Sequence, residues 1–276
     1  GDALLANGDR AGANAVLKDA VSLATTSAEV RLAQINLQFA EKDNDGAVAS
    51  AQAFQNANPG IEADALLGDT LARAGRNDQA LDVYRKSFAA NPTNNLLLRI
   101  VRVSMANGNS KSALQDVSSW VSKNPDDDAV RLEYATLLMQ QGNNSEAIRQ
   151  FREVLKKAPD NVVCLNNLAW LTRDQDPNGA AALATRAAAL APNSWDVLDT
   201  LGWIKLKHGK AADSLALFKR AHELRPQDGE ISYHLALSMD ATGSHDAAKG
   251  FLKALLTSQI KFQDLAEANK LAQTWQ

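Results

Sequence analysis

Residues 127–159 read DDAVRLEYATLLMQQGNNSEAIRQFREVLKKAP, and the punctuation of this stretch recurs along the chain. It ends on Pro159. Gly142 stands seventeen residues before that proline, Ala147 twelve before, Phe151 eight before and Ala135 twenty-four before. Six of the seven prolines (Pro59, Pro92, Pro125, Pro159, Pro192 and Pro226) are spaced 33, 33, 34, 33 and 34 residues apart. Proline lacks an amide donor and disfavours helix in the residue before it, so each one ends a helix.

Other residues keep step with the prolines. Gly75, Gly108, Gly142, Gly209 and Gly243 fall where a sharp turn between two helices is needed. Ala47, Ala80, Ala113, Ala147, Ala180 and Ser214 are small enough to let the second helix approach the first. Ala51, Tyr84, Val117, Phe151, Ala184 and Phe218 stand where the space between helices is filled. Gly68, Ala135 and Gly202 are small again at the crossing. Some units depart from the pattern. Ile35, Val101 and Leu168 replace the small crossing residue, and Lys42 and Gln175 replace the turn glycine. The fifth full unit is one residue short near Thr172 to Asn178, where Asp176 to Gly179 reads as a turn. These units are expected to pack at slightly different angles.

A helix–turn–helix of about 34 residues with these offsets resembles the tetratricopeptide (TPR) repeat. The resemblance implies an all-α fold, a right-handed α-solenoid of TPR helix–turn–helix repeats closed by a C-terminal capping helix. The expected organisation is a single array over 1–276: a partial first repeat at 1–26, seven helix pairs over 27–257 and a capping helix at 258–276. The pairs read as 27–41/44–57, 60–74/77–90, 93–107/110–123, 127–141/144–157, 160–173/177–190, 194–208/211–224 and 228–242/245–256. Ahead of them, Gly8 sits in register as a turn glycine, Ala11 to Ala24 reads as a second helix, and its partner is reduced to Gly1 to Ala6. The array is therefore expected to continue upstream, a naturally short first helix being the alternative. Phe262, Leu265, Ala268, Ala272 and Trp275 lie at helical spacing with no partner helix after them, as a terminal cap requires.

Composition narrows the function classes. Lys plus Arg is 29 and Asp plus Glu is 32, a net charge of -3, with no clustered basic face for nucleic acid. No apolar run of about 18 residues is present, so no membrane-spanning helix is expected. Cys164 is the single cysteine, which leaves no internal disulfide and no cysteine metal cluster. Residues 1–17 lack the basic start and apolar run of a signal peptide.

No catalytic constellation stands out, so the chain is expected not to be an enzyme and to need no cofactor or metal. His208, His222, His234 and His245 form no His-Glu-x-x-His motif. Neither a nucleophile elbow nor a phosphate loop occurs. Asp126, Asp127 and Asp128 read as acids at the first turn of a helix, complementing its dipole, in preference to a cation site. Trp120 reads as core at a seam between repeats, Cys164 as a small buried hydrophobe, and Asn167 as a capping or internally bonded amide.

The resemblance also implies that the first helix of each pair lines the concave side. On the fifth pair the outward stripe carries Asn166, Trp170 and Arg173, spaced by one helical turn. On the sixth it carries Asp199, Trp203 and Lys207, and on the seventh Tyr233 and Asp240. These eight residues are the candidate partner-binding surface. Packing of the two tryptophans between repeats, beside Ala169 and Gly202, is the structural alternative. Earlier stripes are plainer: Ala65, Asp69 and Arg73; Leu98, Arg102 and Met105; Leu132, Thr136 and Met139. The carboxylate clamp of certain TPR co-chaperones is absent, because its stripe here reads Asn166, Trp170, Thr200, Glu230 and His234.

The phrases LNNLAWL at 165–171, DVLDTLGW at 196–203 and ISYHLAL at 231–237 resemble bacterial multi-TPR proteins, in particular the TPR lipoproteins of exopolysaccharide export and PEP-CTERM protein sorting. That resemblance implies a periplasmic scaffold held at the outer membrane by an upstream lipid anchor, with a cytoplasmic location as the alternative. The expected partner is a protein or peptide segment in the groove. A glycan-binding module, with Trp170, Trp203 and Tyr233 stacking on sugar rings and Asp199 and Asn166 bonding hydroxyls, is the second reading.

Overall fold

Six of the seven helix pairs close on one left-handed residue. In this computed structural model, which describes residues 10–275, Gly75, Gly108, Gly142, Gly209 and Gly243 have φ between 71° and 84°. The residue after each glycine donates its N–H to the carbonyl five positions back, as Asn143 does to Leu138 at 2.9 Å and Lys210 to Lys205 at 2.9 Å. That bond satisfies a carbonyl left over at the helix end. Lys42 makes the same turn with φ 63°, and Asp43 donates to Gln38 at 2.8 Å. Here an L side chain takes a conformation that glycine adopts freely.

Sixteen helices result among the described residues, which contain no strand. They divide into two compact units, one ending at Leu137 and one beginning at Leu138. The first holds α1 (Arg10–Leu23), α2 (Ala28–Ala40), α3 (Asn44–Ala57), α4 (Ile61–Arg73), α5 (Asn77–Ala90), α6 (Asn94–Ala106) and α7 (Ser110–Lys123). The boundary lies within α8 (Asp128–Gln140). The second unit holds α9 (Asn144–Lys157), α10 (Val162–Thr172), α11 (Pro177–Leu190), α12 (Trp195–Lys207), α13 (Ala211–Leu224), α14 (Gly229–Ala241), α15 (His245–Thr257) and α16 (Leu265–Thr274). The fold is all-α, with helices packed in consecutive pairs as in an α-solenoid of TPR units. The seven pairs fall within two residues of their expected bounds. Gly8 and Gly1 to Ala6 lie outside the described residues.

Two expectations about termini change. Asp176 to Gly179 is the start of α11 and not a free turn. Asp176 Oδ1 accepts the Gly179 N–H at 3.0 Å and Pro177 takes the first turn, where its missing N–H costs nothing. Here α10 is two residues shorter than the other first helices, and the four-residue loop after it closes by Gln175 and Asp176 both donating to the Thr172 carbonyl, at 3.1 and 2.8 Å, with no left-handed residue. The capping helix begins at Leu265, so Phe262 belongs to the segment that precedes it. The Asp126 to Asp128 cluster does open a helix: Asp127 accepts the Val130 N–H at 3.2 Å and the Trp120 indole N–H at 2.8 Å.

Packing within a pair rests on two positions sixteen residues apart. The residues eight before each proline, Ala51, Tyr84, Val117, Phe151, Ala184 and Phe218, are all 0% exposed. Opposite Tyr84 stands Gly68, and a Cβ there would lie 2.2 Å from the Tyr84 ring. Opposite Phe218 stands Gly202, where a Cβ would lie 2.8 Å from the ring. Within the two units the combinations are Ile35 with Ala51, Gly68 with Tyr84, Val101 with Val117, Leu168 with Ala184, and Gly202 with Phe218. Ile35 and Leu168 on the first helix are matched to alanines, the glycines to aromatic rings, and Val101 to another valine. The departures at Ile35 and Leu168 are thus compensated within their own pairs, as core volume demands.

Gly202→Leu alone is expected to cost about 3 kcal/mol by overpacking. Phe218→Ala alone should cost about 3–5 kcal/mol by leaving a cavity. The double variant copies Leu168 with Ala184 and should recover about 1–3 kcal/mol relative to additivity in a urea-unfolding cycle. Strict additivity would remove the volume argument. At the turn, Lys42→Gly is expected to raise stability by about 1 kcal/mol, read as a higher urea midpoint.

Candidate binding grooves

Within each unit the first helices of successive pairs line a groove. In the second unit α10, α12 and α14, together with residues 260–264, enclose about 620 Å³. In the first unit α2, α4 and α6 line a groove of about 680 Å³.

Helical periodicity explains which side chains reach the second groove. Asn166 and Trp170 on α10, and Asp199 and Trp203 on α12, are one turn apart and share a face. Arg173 lines the groove too, and its guanidinium sits 3.9 Å from the Trp170 ring centroid while bonding the Trp170 carbonyl. Trp203 carries the Lys207 ammonium 4.5 Å from its ring centroid and stacks against His234 at 4.5 Å. Both tryptophans are half-buried, with the groove on one side and neighbouring side chains on the other. Cation–aromatic contacts of this kind hold a ring in place.

Five of the eight expected residues, Asn166, Trp170, Arg173, Asp199 and Trp203, line this one groove. Lys207, Tyr233 and Asp240 do not. Lys207 is exposed and reaches only to Trp203. Asp240 is held by His245 Nδ1 at 2.6 Å. Tyr233 occupies the same register position as Asp199, yet it is buried. Between α15 and α16 the chain does not start a new repeat at once. The chain returns instead through residues 260–264, and Phe262 sets its ring 6.0 Å from that of Tyr233. The same phenyl ring would meet a Cβ at Gly229 at 2.5 Å, so glycine is required there for the segment to close down. With Tyr233 covered, Glu230 and His234 line the groove from α14.

His234 is the most deeply set polar group of this groove. Its side chain is 2% exposed, with Nδ1 2.8 Å from Asp199 Oδ1 and Nε2 3.6 Å from Glu230 Oε1. Glu230 Oε2 accepts the backbone N–H of Asp264 at 3.3 Å. Burial raises the Glu230 carboxyl above its ordinary range, offset in part by the Asp264 backbone N–H and by His234, while the Asp264 carboxyl pushes it upward. The lining includes Asp196, Asp199, Asp228, Glu230 and Asp264 against Arg173 and Lys261, so acidic side chains outnumber basic ones. Asn166 Oδ1 is buried and has no hydrogen-bond partner. Asn167 lines the groove beside it. Trp195 and the 260–264 segment were not among the expected residues. The segment is distant in sequence and lacks the repeat's spacing, so no periodic signal marks it.

The first groove has an apolar floor of Leu32, Ile35, Phe39, Ile61, Leu66 and Leu96. Asp69 and Arg73 of the plainer stripe stand on its wall. Arg73 lies 4.0 Å over the Phe39 ring and donates to Asn36 at 2.7 Å. Asp69 accepts the Tyr84 hydroxyl at 2.6 Å and pairs with Arg99 at 3.1 Å. The core tyrosine that fills the gap beside Gly68 therefore also fixes a charged pair in the groove.

Profiles described as tetratricopeptide repeat match residues 65–128, 104–163 and 205–273. The chain belongs to the tetratricopeptide repeat family. A TPR repeat-containing protein of Pseudomonas aeruginosa is 27% identical over 216 residues, covering 75% of this chain and 36% of that protein. Cellulose synthase 2 operon protein C of Komagataeibacter xylinus is 33% identical over 125 residues, covering 44% of this chain and 10% of that protein. The chain thus spans about a third of the first relative and a tenth of the second. A crystal structure of a tetratricopeptide repeat protein from Parabacteroides merdae superposes with a TM-score of 0.64 at 16% identity, covering 90% of this chain and 98% of that one. TPR arrays are generally protein-interaction scaffolds, and the fold here is theirs. No helix of the described residues is long and apolar enough to cross a membrane.

The grooves make a prediction about pH. Burial raises the Tyr84 phenol above its ordinary value, reinforced by its hydrogen bond to Asp69, and burial raises that of Tyr233. A folded-state pKa above the unfolded one gives stability that is full below about pH 10 and lost as pH rises further. Of the three tyrosines, Tyr84 and Tyr233 should ionise only as the helices melt, followed by tyrosinate absorbance beside far-UV circular dichroism. Reversible ionisation of all three before helix loss would contradict the geometry.

Proposed function

We propose that this chain is a non-catalytic scaffold whose second groove holds an extended stretch of a partner protein, rich in hydrogen-bond donors and positive charge. The observation that carries this reading is the groove's excess of acidic over basic side chains, beside the buried, unpartnered Asn166 Oδ1. A buried acceptor without a donor costs about 1–3 kcal/mol, so a ligand that supplies an N–H gains from filling it. Lysine and arginine side chains and extended backbone supply such groups. The half-buried tryptophans offer the flat apolar anchors at which protein interfaces concentrate their energy. The same acidic lining repels a phosphate backbone, which argues against nucleic acid.

The setting we propose is a bacterial envelope assembly for secretion or exopolysaccharide export, with the array in the periplasm and a lipid anchor upstream. The relative named for a cellulose synthase operon supports it, as do the three quoted phrases on α10, α12 and α14. The glycan reading is less well served by the geometry. Tyr233 is buried, Arg173 lies against one side of Trp170, and His234 and Lys207 lie against Trp203, so the three-ring platform that reading needs is missing one ring and narrowed at the other two.

The test is affinity capture from the source cell with the wild-type chain, Trp203→Ala and Asp196→Arg, the captured partner then being measured by titration. Both variants are expected to weaken its binding about 10-fold or more, which is about 1.4 kcal/mol. Retention of every partner at wild-type affinity would place the binding surface elsewhere. A tryptophan-fluorescence response to exported polysaccharide, lost in Trp203→Ala, would favour the glycan reading instead.

A further inference from the structure

Three side chains on the floor of the second groove converge on one point. One ligand atom from each of Glu230, His234 and Asp264 lies within 4.8 Å of the other two. Glu230 and His234 are a turn apart on α14 and so share a face. Asp264 comes from the far end of the chain, tied in by its backbone N–H to Glu230.

The imidazole is oriented for a role beyond packing. Nδ1 faces Asp199 Oδ1 at 2.8 Å, which fixes the proton on that nitrogen and turns the lone pair of Nε2 toward Glu230 and Asp264. A carboxylate behind a histidine, with the opposite nitrogen free, is the arrangement that orients metal-binding imidazoles and raises their basicity. A tetrahedral zinc ion with bonds near 2.1 Å holds its ligand atoms about 3.4 Å apart. The 3.6 Å between His234 Nε2 and Glu230 Oε1 is already close to that spacing. Asp264 needs a shift of about 1 Å, within reach of a side chain at the start of a helix.

We propose that Glu230, His234 and Asp264 form a binding site for one borderline divalent cation of the zinc class, with Asp199 positioning the imidazole. Charge supports the assignment independently of distance. Two adjacent carboxyls share a partly dry site beside a buried imidazole. A dication lets both carboxyls stay ionised and bind it together, whereas a single proton neutralises one of them and leaves the other without a cationic partner. The nitrogen ligand disfavours magnesium and calcium, which prefer oxygen alone. Three protein ligands leave a fourth position facing the groove.

The rival reading is a protonated His234 paired with Asp199 and Glu230, and titration calorimetry separates the two. The 276-residue chain is titrated with Zn²⁺ and, separately, with Mg²⁺, without any peptide, so the outcome does not depend on the proposed partner. One Zn²⁺ per chain is expected. Affinity should fall at least about 10-fold in Glu230→Gln and in Asp264→Asn, and about 10–100-fold in Asp199→Asn. Glu230 and Asp264 are only half-buried, so their isosteric variants are expected to keep the fold, checked by circular dichroism. Absence of zinc binding overturns the proposal. So does zinc binding that both carboxamide variants leave unchanged, which would assign the ion to His208, His222 or His245. Equal affinity for Mg²⁺ overturns the imidazole's part in it.

Discussion

The space between the two helices of a pair has a nearly constant size, and the rest of this structure depends on it. Gly68 yields to Tyr84 and Gly202 to Phe218, while Ile35 and Leu168 are met by Ala51 and Ala184. At six of the seven turns a left-handed residue sets the direction of the second helix, and the filled gap sets its distance. Neither suffices alone. A turn without the fill leaves a cavity, and a fill without the turn has no partner helix to meet. Once both hold, the first helices of neighbouring pairs lie side by side, and the faces that form a groove follow from periodicity.

Much of this was legible in the sequence because proline and glycine act locally. A φ of about 75° or a missing amide proton ends a helix whatever surrounds it, so spacing alone located the pairs. The groove was legible where one repeat follows another. Asn166, Trp170, Asp199 and Trp203 were found by projecting a single helical face, and they line one surface. Tyr233 was misplaced because its exposure depends on what covers it, and what covers it is Phe262, which obeys no repeat. Lys42 and Gln175 show the same limit at the turns. Both replace glycine, yet Lys42 keeps the left-handed turn in a three-residue loop while Gln175 sits in a four-residue loop, after a shorter helix, that avoids it. Local identity did not distinguish them, and loop length did.

The two grooves share a construction and differ in chemistry. In the first unit the floor is aliphatic and the wall carries Asp69, fixed by Tyr84 and Arg99. In the second the floor is a linked polar set running from Asp199 through His234 to Glu230 and Asp264. Both place charged groups against core residues that cannot move without disturbing a helix crossing. Their groove-facing atoms are therefore preorganised, and the cost of ordering them was met in folding and not in binding.

The volume match joins two positions within one helix pair and none between pairs. A whole unit can therefore be duplicated, lost or exchanged without upsetting any crossing, since each carries both halves of its own fit. A crossover inside a unit would join one pair's first helix to another's second, and could set Leu168 against Phe218 or Gly202 against Ala184. Divergence in such a gene is expected to respect the inter-pair loops as recombination boundaries, leaving the groove residues free to vary while the crossings change only in step.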